Sequence, residues 1–112
     1  MAEYQEAAKN PAVLKGIAAA EKLADGFTNV AVNCGSLQQK DNQGRWVYGV
    51  ITAHFPLKGY AALEKRYKSA GYNIERRKYK EYYSLHETTT VHVFARKPVQ
   101  LVYAEEGGPI HD

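Results

Sequence analysis

The chain has 112 residues, 15 Lys and Arg against 12 Asp and Glu for a formal charge of +3, and a single cysteine, Cys34. That length bounds it to one domain with room for a core, and its apolar share of 45% excludes a disordered or collagen-like chain. A lone thiol excludes an internal disulfide and a cysteine-based zinc site, and no apolar run approaches the about 20 residues of a spanning helix, so no membrane partner is expected.

The opening "MAEYQEAAKN" has two glutamates and no apolar run, unlike a signal or transit peptide, which sets the expectation of a cytoplasmic protein. Asn10-Pro11 suits a helix start, with Asn as cap and Pro at the first position, where a missing N–H costs nothing. Val13, Ile17, Ala20, Ala24 and Phe27 then recur at helical spacing, and Gly26 marks the end. A strand from Val30 through Ser36-Leu37, a polar turn at "KDNQG" and an alternating strand up to Pro56 complete a first half. A second half repeats the order. Pro56 is expected to open a helix with stripe Tyr60, Leu63, Tyr67 and Ala70, Gly71 to close it, and two strands to follow, separated near Ser84-Leu85 and ending at Pro98.

The halves also share words. "LKGIAAAEK" (Leu14 to Lys22) and "LKGYAALEK" (Leu57 to Lys65) differ at two positions, and each contains a glycine that costs a helix about 1 kcal/mol, suggesting close approach to another element. The expected fold is therefore α+β, a pseudo-duplicated αββ-αββ unit (10–56 and 57–98) within one domain over 1–103, followed by a flexible acidic tail at 104–112. Two units make a four-stranded antiparallel sheet with both helices on one face. Asn73 to Ser84, rich in Arg, Lys and Glu, is also compatible with a helix.

Alternation sorts the strands into faces. Val47, Gly49, Ile51, Ala53 and Phe55, with Val91, Val93 and Ala95, are expected under the helices. Trp46, Tyr48, Val50, Thr52 and His54, with Thr90, His92, Phe94 and Arg96, fall on the other side. In the third strand the set Arg76, Lys78, Lys80 and Tyr82 is placed outward, because buried unpaired cations would cost several kcal/mol each.

The candidate binding residues are therefore Trp46, Tyr48, Arg76, Lys78, Lys80, Tyr82, His92, Phe94 and Arg96. Rings that stack on bases, interleaved with cations that track phosphates, point to single-stranded nucleic acid. RNA-recognition modules use four-stranded sheets in this way, although their Lys/Arg-Gly-Phe/Tyr strand signature is absent here. The alternative is an accessory or inhibitory protein that docks another protein, or a second copy as a homodimer, through the same face.

Catalytic and cofactor signals are weak. His54 and His92 share the outer face, so a histidine-dependent phosphodiesterase is a third reading if they meet in a pocket. "HET" at His86 has half of the His-x-Thr pattern of two-histidine phosphoesterases, without the second half. No zinc, calcium or nucleotide-loop motif is present, so no cofactor is expected, and Cys34 reads as a small core residue.

Overall fold

The computed structural model describes residues 9–83 and 85–103; segment 104–112, with its acidic residues and His111, lies outside them. The elements run α1 (Pro11–Leu23), β1 (Ala31–Lys40), β2 (Trp46–Pro56), α2 (Ala61–Ser69), β3 (Asn73–Tyr83) and β4 (His86–Gln100). The four strands form one antiparallel sheet in the order β1-β2-β4-β3, with the second strand of each hairpin in the centre. The architecture is α+β, as the patterning predicts.

Asn10 begins α1 and also clasps the far end of the chain. Its Oδ1 accepts from the N–H of Ala12 at 3.0 Å and of Val102 at 3.1 Å, while Nδ2 donates to the Val102 carbonyl at 2.7 Å. The buried amide has both its oxygen and its nitrogen hydrogen-bonded, as a buried polar group requires. The turn between β1 and β2 is built by Asp41, whose Oδ1 accepts from the N–H of Gln43 (2.8 Å) and Arg45 (2.9 Å), with Gly44 at positive φ.

The helices cover the sheet face that carries Ile51, Ala53, Phe55, Val93 and Ala95, all nearly or wholly buried with Val13, Ala20, Leu63 and Tyr67. Gly16 lets α1 approach: a Cβ there would stand 2.9 Å from Ile51 Cγ1 and 3.2 Å from Val99 Cγ1. Gly59 has a different role. It lies at φ 85° in the turn before α2, which starts at Ala61 and not at Pro56; Pro56 instead closes β2.

The helix C-termini are capped from neighbouring elements. Last-turn carbonyls have no intrahelical donor. The N–H of Ala24 turns to Glu21 and Lys22, and the buried Tyr67 hydroxyl donates to the Ala20 carbonyl at 2.6 Å. Arg66 reaches the carbonyls of Leu23 (2.8 Å) and Asp25 (2.9 Å) from across the helix pair. Lys97 Nζ donates to the Ala70 carbonyl at the end of α2, at 2.9 Å. The hydroxyl of Tyr67 thus joins α2 to α1 while its ring packs on Phe55 and Tyr72.

The β3–β4 hairpin outruns this body, and the molecule measures 62 × 28 × 18 Å. β2 stops at Pro56 opposite His92 and the Leu57 N–H still donates to the Val91 carbonyl at 2.9 Å; beyond Val91, β4 pairs only with β3 among the described residues.

The placement of the basic set is corrected here. Ile74 is paired with Ala95 and joins the core, which turns Arg76, Lys78, Lys80 and Tyr82 to the helix side of the sheet. Arg76 pairs with Glu64 of α2 through two hydrogen bonds of 2.8 and 2.7 Å. Lys78, Lys80 and Tyr82 lie beyond the helices and are exposed, so the burial cost that placed them outward does not arise.

Two outcomes follow from this packing. Gly16→Val should lower stability by about 1–3 kcal/mol through overpacking on Ile51 and Val99, seen as a lower urea midpoint at unchanged slope. Burial, reinforced by Tyr72, pushes the Tyr67 phenol up to about 12. An acid whose folded pKa is raised supports folding below its unfolded value near 10 and withdraws that support as pH climbs towards 12. Stability of the unaltered chain should therefore fall steeply above about pH 10; Tyr67→Phe should start about 1–3 kcal/mol lower, with the Ala20 carbonyl left unpaired, and show a shallower alkaline slope.

Candidate functional site

Among the described residues, no helix covers the other face of the sheet. Cross-strand pairing places Tyr48 beside Gln100, Thr52 beside Arg96 and His54 beside Phe94. On the outer side of β4, Glu75 lies beside Phe94, Arg77 beside His92 and Tyr79 beside Thr90. The open face thus holds Tyr48, His92, Phe94 and Arg96 of the candidate binding residues, with His54 on the same face, and adds Glu75, Arg77 and Tyr79. Trp46 sits at the far end of β2, half-buried against the rim of the core, with the Lys40 ammonium 4.7 Å from its ring centroid. Arg76, Lys78, Lys80 and Tyr82 are separated from this group by the thickness of β3.

Phe94 organises the centre. The His54 imidazole stacks on it at 4.3 Å with planes 7° apart, and the guanidiniums of Arg77 and Arg96 stand 4.9 and 5.1 Å from its centroid. Both arginines share one carboxylate: Arg96 Nη1 donates to Glu75 Oε1 at 2.6 Å and Arg77 Nε to Glu75 Oε2 at 3.0 Å. Hydrogen bonds from Arg77 and then Arg96 hold the Glu75 carboxyl below its ordinary range. Two cations against one anion leave this group with a net positive charge.

The histidines meet. His54 Nε2 and His92 Nδ1 are 2.9 Å apart, one donating and the other accepting, and Tyr79 packs edge-on against His92 at 5.2 Å. They stand at the mouth of an open cavity of about 510 Å³ lined also by Asn29, Val30, Ala31, Phe55 and Pro56. A second cleft of about 650 Å³ continues round Pro56 and is lined by Lys58, Thr88, Thr89 and Thr90. Acid and base for phosphodiester cleavage stand on opposite sides of the phosphorus, whereas here a hydrogen bond spans the space between the imidazoles. Burial pushes the Cys34 thiol up, the reverse of an activated nucleophile. Among the described residues, no group of three or more His, Cys, Asp or Glu is arranged to hold a metal ion.

The face was half legible in the sequence. Alternation finds the open sides of β2 and β4, but charge gives the opposite parity for β3 and so misses Glu75, Arg77 and Tyr79; the apolar Ile74, paired with Ala95, is the signal that marks them. The His54–His92 contact spans 38 residues and needs the strand order, which spacing does not give.

Comparison with protein-family models, curated proteins and solved structures finds no match.

Burial first, and the charge of His92 second, lower the His54 pKa below its ordinary value. A base with a depressed folded pKa supports folding above its unfolded value near 6.5 and loses that support as pH falls through the folded one. The His54 ring should titrate below the usual histidine range by NMR, and the melting temperature should decline from pH 7 downward, less steeply in His54→Phe.

Proposed function

We propose that the chain is a non-enzymatic binding protein that takes single-stranded nucleic acid along the open face and the outer edge of β3. The observation that carries this reading is the Phe94 group, in which two guanidiniums lie over one ring and share one carboxylate. Exposed ion pairs of this kind are worth about 0–1 kcal/mol, so a phosphate can take the place of Glu75 at small cost. The guanidiniums would meet it already oriented, in a bidentate geometry suited to arginine.

β3 is an edge strand, which changes the meaning of its two-sided charge. Arg77 on one side and Arg76, Lys78 and Lys80 on the other flank the same outer edge, and a phosphate backbone running along it would reach both sets. Tyr48 and Tyr79 supply rings on the open side for bases, a contact that does not require a particular sequence. No described helix is long and apolar enough to cross a membrane.

A second reading, an accessory or inhibitory protein that docks another protein or a second copy of itself, is favoured by the end of the hairpin. Leu85 is 98% and Tyr82 68% exposed there, well clear of the body.

Fluorescence anisotropy with a short labelled single-stranded oligonucleotide tests the first reading. Affinity should fall roughly tenfold or more between 50 and 200 mM salt, as release of counterions from about three phosphates requires. The double variant Arg77→Gln/Arg96→Gln should bind more weakly and with a smaller salt slope. Absence of binding at low salt, or an affinity indifferent to that variant, would refute it; a discrete dimer or heteromeric complex lost in Leu85→Asp would establish the second reading.

A further inference from the structure

We infer that His54 and His92 form a two-histidine chelate for a borderline divalent cation of the Zn²⁺, Ni²⁺ or Cu²⁺ class. Three observations converge on the pair. The first is the separation of 2.9 Å between His54 Nε2 and His92 Nδ1. Two imidazole nitrogens bound to one ion at about 2.0–2.1 Å, with an angle between square and tetrahedral, stand about 2.9–3.4 Å apart. The nitrogens therefore need almost no approach or withdrawal to share an ion; each lone pair turns about 35–45° off the line between them to meet at a common apex.

The second is immobilisation. His54 is stacked flat on Phe94 at 4.3 Å, and His92 is held edge-on by Tyr79 at 5.2 Å. Rings whose tilt is restricted by their neighbours lose less further freedom when an ion arrives, and such support of the ligands helps to hold a metal site in its working geometry. The third is access. Both rings line the open cavity of about 510 Å³, so an ion can reach them and its remaining positions face solvent. Imidazole is the ligand type that selects this class of metal over Mg²⁺ or Ca²⁺.

With no third His, Cys, Asp or Glu arranged beside them among the described residues, the remaining positions fall to water or to an oxygen of a docked molecule. That makes the site an open one, of modest affinity, unlike the closed four-ligand sites that hold structural zinc. Alternation puts both histidines on one face, but no metal-site motif marks them, because such motifs are local spacings and this pair is assembled by the β2–β4 pairing.

Calorimetric titration of the metal-free full chain with ZnCl₂ and with NiCl₂ tests the inference. Saturable binding of one ion per chain is expected, lost in His54→Gln and in His92→Gln and retained in His86→Gln. Ring ¹H–¹⁵N correlation spectra of the unaltered chain provide a readout independent of how the variants fold. Added Zn²⁺ should shift the His54 and His92 ring signals and leave those of His86 in place. No saturable binding, binding undiminished in both variants, or shifts confined to other histidines would overturn it.

Discussion

Everything on the open face depends on how closely the helices dock on the opposite one. Gly16 allows α1 to sit against Ile51 and Val99, and the hydroxyl of Tyr67 ties α2 to the carbonyl that α1 leaves unpaired. A single layer of helices is enough to bury the apolar side of the central strands, and the capping contacts of Arg66 and Lys97 make that layer specific as well as apolar. With the core closed on one side, the other side of β2 and β4 need not be apolar, and its residues are free to be chosen for chemistry.

That freedom produces an ordered arrangement. The rings of Phe94, His54, His92 and Tyr79 form a row in which each leans on the next, and the arginines at one end are held by Glu75 and by the face of Phe94. Half-exposed side chains on a bare sheet ordinarily sample several rotamers, whereas contacts at both ends of this row restrict them. Preorganisation of that kind reduces what a ligand must spend in ordering side chains when it binds.

Periodicity made the core legible. Val13 and Ala20 in α1, Leu63 and Tyr67 in α2, and the alternating residues of β2 and β4 lie where a 3.6 or a 2.0 residue repeat puts them, because burial selects on that repeat. β3 misled for a physical reason: the rule that cations avoid the helix side holds only where there is a helix. Beyond Arg76 the strand leaves the body, both of its sides face water, and charge no longer reports direction. Pro56 misleads for a related reason, since it suits the end of a strand as well as the start of a helix, and Gly59 at positive φ lies in the turn that holds α2 back to Ala61.

The exposed edge of β3 shows how the same residues can repel one partner and suit another. A strand edge 11 residues long, with no partner strand on its outer side among the described residues, is a template for strand addition by any extended chain. A second copy pairing antiparallel about Tyr79 would set Lys78 against Lys80 on the same face, and like charges directly opposed are unfavourable. Lysines are a common guard on such edges for this reason. A polyanion experiences the opposite sign: the charges that disfavour a second β3 attract phosphates, and the salt dependence of any contact at this edge would distinguish attraction by charge from pairing of backbones. The lysines that oppose a second copy of β3 thus give this edge the sign that a polyanion would meet, while the uncharged end at Leu85 carries no such charge.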